Sequence, residues 1–163
     1  MTAEDIIKTF NMLSLPDEGG YYIETYRASE KIDNLPARYI GSRTFSTAIL
    51  YLITPTSFSK LHKVKSDEVF HFHRGDPVET LQINEAGKAE TQILGTDCLK
   101  GQKPQAVVYK DTWQGTKLVK GGKFALLGCT VAPGFEFADY ESANKDALLK
   151  HYPHLKELIN KYI

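Results

Sequence analysis

Hydrophobic positions change from helical spacing to strand spacing within the first twenty or so residues of the chain. Hydrophobic residues recur three to four positions apart between Ile6 and Leu13, after a capping sequence that begins at Thr2. This spacing predicts a short amphipathic helix. From Tyr21 onward, hydrophobic residues alternate with polar ones in short segments that are rich in β-branched and aromatic residues, which is typical of strands.

Alternating segments of this kind make up most of the remaining chain. They span residues 21–27, 45–53, 57–64, 68–73, 78–83, 89–94, 106–109, 115–119, 124–131 and 135–140. No helical segment interrupts them, which favours an antiparallel sandwich or barrel over a parallel sheet. Helical spacing returns at 142–151 and 154–163, on either side of Pro153. We therefore expect residues 1–163 to form a single mainly β domain, with a short N-terminal helix and two short C-terminal helices.

The charge and composition of the chain argue against several kinds of partner. Twenty basic and twenty acidic side chains give a net charge of zero, and no long run of one sign is present, so we expect no nucleic acid or membrane partner. No secretion signal or apolar run of about 18 residues is visible, which predicts a cytoplasmic protein. Cys98 and Cys129 are far apart and are expected to be reduced.

Candidate chemistry is concentrated in residues 61–77, which contain three of the five histidines. The two alternating segments there are predicted to pair as a hairpin across loop 64–66, which places His62 opposite Glu68. An imidazole beside a carboxylate could bind a metal, could hold a catalytic base in one tautomer, or could be a self-satisfied polar pair inside a barrel.

Strand alternation predicts which other side chains share a pocket with His62 and Glu68, because every second residue faces the same side of a sheet. The expected neighbours are Phe58, Lys60, Phe70 and Phe72, and Tyr109 and Trp113 are expected to project into the same barrel. One base, one acid, one amine and several aromatic rings describe a ligand pocket.

A tightly bound metal needs three or four protein ligands, and His62 and Glu68 supply two. We therefore favour a metal-free polar pair and no cofactor, with a divalent metal held by His62 and Glu68 as the alternative. His71 and His73 face the other way and are interpreted as surface or interface residues. No nucleophile elbow, P-loop or dinucleotide-binding glycine motif is present.

The segments 59–62 and 67–77 together resemble the first conserved motif of the cupin superfamily. Glu68 and Gly75 keep the spacing of the glutamate and glycine of that motif. The resemblance extends to an uncharacterised branch, the fifth cupin family, through residues 13–21, 24–27, 41–49, 112–115 and 131–140. It implies a jelly-roll barrel, also called a double-stranded β-helix, and a homodimer.

The chain departs from the cupin pattern at the usual metal ligands. Lys60 stands where the motif has its first histidine, and Tyr109 stands where the second motif has its last one. The branch is also similar to sugar-nucleotide epimerases that use the jelly roll without metal. That similarity implies His62 as base and Tyr109 as acid, with Glu68 orienting the imidazole.

The favoured hypothesis is therefore a cupin-fold protein that binds a small polar organic ligand, sugar-like or acid-like, and acts on it as a metal-free isomerase or epimerase. Lys60, Phe70, Phe72 and Trp113 are the expected ligand-binding residues. The alternatives are a metal-dependent cupin dioxygenase or isomerase that uses His62 and Glu68, and a non-catalytic sensor or storage module.

Overall fold

A computed structural model describes residues 1–163, most of which form strands and their connections. The helices are Ala3–Phe10 (α1), Lys145–His151 (α2) and Lys156–Lys161 (α3). The strands are Leu13–Ser14 (β1), Tyr21–Arg27 (β2), Lys31–Ile32 (β3), Arg43–Thr44 (β4), Thr47–Ile53 (β5), Ser59–Val64 (β6), Asp67–Gly75 (β7), Val78–Ile83 (β8), Ala89–Leu94 (β9), Gln105–Val108 (β10), Trp113–Leu118 (β11), Ala125–Ala132 (β12) and Tyr140–Ser142 (β13). The predicted mainly β fold with one N-terminal and two C-terminal helices is confirmed.

Two antiparallel sheets form the body of the molecule. The first has the order β1-β2-β5-β12-β7-β10, and the second has the order β13-β6-β11-β8-β9. Strands β3 and β4 form a separate two-stranded ribbon. None of the three helices is both long enough and apolar enough to span a membrane.

The largest hydrophobic cluster draws on strands of both sheets, including Tyr51 and Leu127 of the first sheet and Val78 of the second. A second cluster joins β6, β8 and the C-terminal helices around Leu81 and Ile159, neither of which is solvent-accessible. A third cluster packs α1 against Leu52 of the first sheet. Each helix therefore covers sheet surface with the apolar side that its spacing predicts.

The predicted hairpin between β6 and β7 is wrong. β6 pairs with β11 and β13 in the second sheet, whereas β7 pairs with β10 and β12 in the first. The connection after Val64 thus passes from one sheet to the other. Alternation of hydrophobic and polar residues indicates only that a strand buries one of its sides. Two strands that face each other from different sheets show this pattern just as two paired neighbours in one sheet do.

The segment predicted as a strand at 135–140 is also different in the structure. Phe137–Asp139 forms a short 3-10 turn, and the strand follows at Tyr140–Ser142. Asp139 is buried in a bidentate ion pair with Arg43, with two nitrogen–oxygen distances of 2.7 Å. This ion pair fixes the turn, and with it the start of β13, against the ribbon formed by β3 and β4.

Candidate functional site

A cavity of about 360 Å³ lies between the two sheets. Its walls come from β2, β5, β7 and β12 of the first sheet, from β6 and β13 of the second, and from residues 15–18 and 135–137. Eleven of the 20 lining residues are hydrophobic, so polar and charged side chains share the lining with apolar ones. Concave sites of this size and character are those that bind small molecules.

His62 is the histidine that lines this cavity, and its side chain is held in one orientation. Its Nδ1 lies 2.8 Å from the carbonyl oxygen of Lys60, and its ring stacks on Tyr140 with centroids 5.3 Å apart. A carbonyl oxygen can only accept, so Nδ1 bears the hydrogen. In the neutral imidazole, Nε2 therefore has the free lone pair, which is the form that a general base requires.

A β-bulge in β6 aims His62 into the cavity. Thr116 of β11 pairs with Ser59 and Gln114 pairs with His62, so two residues of β6 stand opposite one residue of β11. Ser59 and His62 consequently both face inward although they are three residues apart. The same bulge corrects the expectation for Lys60, which is exposed and lies outside the cavity.

Glu18 faces His62 across the cavity, and the sequence did not single it out. Its Oε2 lies 3.8 Å from Nε2 of His62, and its Oε1 accepts a hydrogen bond of 2.9 Å from the Ser59 hydroxyl. The Lys60 amide also donates to the Glu18 carbonyl at 2.8 Å. The available signal was the family-like segment 13–21, which contains Glu18.

Glu68 is buried in the cavity wall, but it does not hold the imidazole of His62. It accepts hydrogen bonds from the side-chain amide of Gln114 and from the thiol of Cys129, with a sulfur–oxygen distance of 3.5 Å. Burial raises the pKa of the Glu68 carboxyl, and the negative charge of Glu18 adds to this, while His62 and the two donors oppose it. Burial also raises the pKa of the Cys129 thiol well above its usual value.

Tyr140 is a cavity-lining tyrosine on the opposite sheet from Glu68. Its hydroxyl accepts a hydrogen bond of 3.2 Å from Ser142, which leaves its own hydrogen free. Burial is the main cause that raises the pKa of Tyr140 to about 12, so the hydroxyl stays protonated at neutral pH. Its signal in the sequence was the family-like segment 131–140.

Arg27, Glu24 and Glu136 form an ion-pair cluster in the solvent-exposed part of the cavity lining. Arg27 donates to both carboxylate oxygens of Glu24, at 2.9 and 2.8 Å, and to Glu136 at 2.8 Å. The pairing of β2 with β5 shifts register between Glu24 and Tyr26, which indicates a bulge at Thr25. The bulge places Glu24 and Arg27 on the cavity side together.

The remaining predicted site residues are divided between the cavity and other surfaces. Phe70 lines the cavity, whereas Phe72 packs against the first cluster without lining it. Tyr109 follows β10 and is 66% exposed, so the structure does not bring it to His62. Trp113 packs against the cluster under the C-terminal helices, with the Lys63 ammonium 4.6 Å from its ring centroid. Its neighbour Gln114 is the residue of β11 that reaches Glu68.

The cavity does not offer the donor set that a cupin metal requires. No group of three or more histidine, cysteine, aspartate or glutamate side chains is arranged to hold a metal ion. Both oxygens of Glu68 accept hydrogen bonds from neighbouring side chains, Gln114 and Cys129, so a metal would have to displace these donors. His71 is outside the cavity, and its Nδ1 lies 3.2 Å from Nε2 of Gln105. We therefore derive no step through a metal.

A family model described as the cupin superfamily, domain of unknown function 985, matches residues 4–143. No curated protein shows significant similarity to the chain. The solved structures that resemble it include a hypothetical protein from Leishmania major, with 29% identity and a TM-score of 0.92 over 99% of this chain and 98% of that one. A protein from Shewanella oneidensis has 31% identity and a TM-score of 0.88 over 99% and 97% of the two chains.

An oxalate decarboxylase of Bacillus subtilis shares the fold at lower similarity. It has 13% identity and a TM-score of 0.57 over 94% of this chain and 38% of its own. That enzyme has Mn(II) centres. At this identity the likeness concerns the fold alone, and it confirms the predicted jelly roll.

Proposed function

This chain belongs to the cupin family of domain of unknown function 985, and on that premise we propose that its cavity binds a small polar organic molecule on which His62 acts as a general base. The activity is that of a metal-free isomerase or epimerase. The observation that most supports this is the state of the His62 side chain, which is 2% exposed. Its Nδ1 is hydrogen-bonded to the carbonyl oxygen of Lys60, whereas its Nε2 has no hydrogen bond and lies 3.8 Å from Oε2 of Glu18. A buried imidazole in that state is ready to accept a proton.

The reaction that suits this base is the transfer of a proton at a carbon next to a carbonyl group. His62 Nε2 takes the proton, the electrons of the carbon–hydrogen bond form an enol double bond, and the carbonyl oxygen takes up a hydrogen. Tyr140 supplies that hydrogen in place of Tyr109, because its hydroxyl is protonated and its ring lies against His62. Water that protonates the opposite face of the same carbon gives an epimer, while Tyr140 takes back the hydrogen of the enol oxygen and His62 releases its proton to solvent. If His62 instead returns the proton to the neighbouring carbon and Tyr140 takes the hydrogen of the hydroxyl on the first carbon, an isomer results.

Glu68 and Glu18 have different parts in this proposal. Glu68 is a hydrogen-bonding group of the cavity wall, and burial raises the pKa of its carboxyl. Glu18 lies 3.8 Å from the imidazole and stabilises the positive charge that His62 gains on taking the proton. Of the two ligand classes that the sequence predicts, the carboxylates of the cavity favour the sugar-like one over the acid-like one.

Solvent hydrogen exchange tests the base even while the substrate is unidentified. The protein is incubated in D2O with a panel of aldoses, ketoses and keto sugars, and deuterium incorporation is followed by mass spectrometry. We expect exchange in at least one compound, and a loss of 10²-fold or more in His62→Asn. Asparagine keeps a donor near the Lys60 carbonyl and removes Nε2.

The matched control is His151→Asn, because His151 is exposed at the end of α2, outside the cavity. Undiminished exchange in His62→Asn contradicts the mechanism. Binding of a panel member without exchange in the unaltered protein supports the non-catalytic alternative, a sensor or storage module. We also propose that the chain forms a homodimer.

A further inference from the structure

Carboxyl groups outnumber cationic side chains in the lining of the cavity. The acidic residues of the lining are Asp17, Glu18, Glu24, Glu68 and Glu136. Arg27 is the single lysine or arginine among the 20 lining residues. The chain as a whole is neutral, with twenty basic and twenty acidic side chains, so the acidic excess is a local property of this cavity.

The guanidinium of Arg27 is already committed to the protein. Nε and Nη2 donate to the two carboxylate oxygens of Glu24, and Nη1 donates to Glu136. Nη2 also lies 3.3 Å from the carbonyl oxygen of Phe135. Two carboxylates thus face one cation, and this cluster retains a net negative charge. An anionic ligand would have to displace one of these carboxylates before it could pair with Arg27.

Two hydrogen-bond acceptors of the cavity, close to each other, have no partner in the protein. Nε2 of His62 has no hydrogen bond, although the residue is 2% exposed, and Oε2 of Glu18 has none either. The two atoms are 3.8 Å apart, so an amine can donate to Oε2 of Glu18 while Nε2 of His62 keeps its lone pair for the proton of the substrate carbon. A protonated amine has hydrogens to donate to the Glu18 carboxylate, whereas a carboxylate ligand has none.

Aromatic rings complete the surroundings of such a group. Phe70, Tyr22, Phe135 and Tyr140 line the same cavity as the two acceptors. A cation near the face of an aromatic ring is attracted to it, most strongly where water is excluded. We infer that the cavity binds a ligand that bears a positively charged amine, held by the Glu18 carboxylate beside His62, on an uncharged body that fills the apolar remainder. This inference rests on the proposed function, which supplies the binding cavity.

Three probes with the same ring and different charge test the inference. Cyclohexylammonium, cyclohexanol and cyclohexanecarboxylate are titrated into the protein at pH 7 and low salt, and binding is measured by calorimetry. We expect the ammonium to bind at least tenfold more tightly than the alcohol, and the carboxylate to bind most weakly. Glu18→Gln should reduce the preference for the ammonium over the alcohol at least fivefold, because the amide keeps the shape of the side chain without its charge.

Glu141→Gln is the matched control, since Glu141 is exposed and pairs with Lys63 away from the cavity; its preference should be that of the unaltered protein. Equal binding of ammonium and alcohol, or tighter binding of the carboxylate, overturns the inference but leaves the cavity as a binding site. An unchanged preference in Glu18→Gln also overturns it, because the amine would then be recognised elsewhere. If none of the probes binds, the proposed binding cavity fails, and the inference fails with it.

Discussion

Glu68 is a carboxyl group enclosed by an amide, a thiol and apolar side chains, and its titration should be visible in the stability of the protein. Burial raises its pKa in the folded state above the value of 4.5 expected for an exposed carboxyl. As the pH rises above 4.5, the unfolded chain releases this proton before the folded protein does. The free energy of unfolding therefore falls with rising pH, up to the pKa of the folded state.

Glu68→Gln removes this pH dependence and can still accept from Gln114. We expect the variant to have a higher free energy of unfolding than the unaltered protein at pH 7, and the difference to shrink as the pH falls toward 4.5. Urea denaturation at a series of pH values measures it, with Glu141→Gln as the exposed control. A variant that is less stable at pH 7 would contradict the raised pKa of Glu68.

The identity of the tyrosine in the site shows what residue type alone can predict. The sequence predicts that a tyrosine accompanies His62, and the structure places Tyr140 rather than Tyr109 beside it. Tyr109 directly follows β10, where a side chain is free to turn outward, whereas Tyr140 begins β13, which pairs with β6. That pairing joins segments far apart in the chain, and no local pattern reports it.

At the scale of single elements, two β-bulges decide which side chains reach the cavity. The bulge in β6 turns Lys60 outward and keeps Ser59 and His62 inward, and the bulge in β2 brings Glu24 and Arg27 to the same side. Strict alternation predicts the strands themselves well, including Tyr21–Arg27 and Val78–Ile83 at their observed bounds. It misplaces Lys60 because a bulge adds one residue without changing the local hydrophobic pattern.

The turn that holds Glu18 is built around a glycine that should not tolerate a side chain. Gly19 has a φ of +96°, and a Cβ there would lie 2.3 Å from the carbonyl oxygen of Phe58. Gly41 has a φ of +79° with nothing within 4 Å, so it isolates the backbone cost. We expect Gly41→Ala to cost about 1 kcal/mol and Gly19→Ala about 2–4 kcal/mol in the free energy of unfolding, measured by urea denaturation.

Gly19→Ala should also weaken cyclohexylammonium binding, because relieving the clash moves the backbone that carries Glu18. Gly41→Ala should leave that binding unchanged, since Gly41 is not among the lining residues. Equal losses of stability in the two variants would mean that the turn adjusts freely and does not position Glu18.

At the scale of the whole molecule, the fold class was predictable and the assignment of strands to sheets was not. Segment type follows from spacing along the chain, so the helices and most strands could be predicted. Whether β6 pairs with β7 or faces it depends on contacts between distant segments, such as the pairing of β6 with β13. His62 and Glu68 line one cavity, but they reach it from opposite sheets.

An incompletely paired edge strand gives the whole molecule a surface on which the proposed homodimer can form. β1 pairs with Tyr21 and Tyr22 of β2, so the rest of that strand pairs with β5 on one side alone. Open edges of this kind favour association with another strand. Tyr26, on this edge, is 54% exposed.

We expect light scattering after size exclusion to give about twice the chain mass of 18.3 kDa at micromolar concentration. Tyr26→Lys should raise the dissociation constant at least tenfold through charge repulsion across the edge, whereas the same change at the exposed Tyr109 should not alter it. A monomeric mass for the unaltered protein, or equal effects of the two substitutions, would place the edge in solvent and leave the homodimer without this interface.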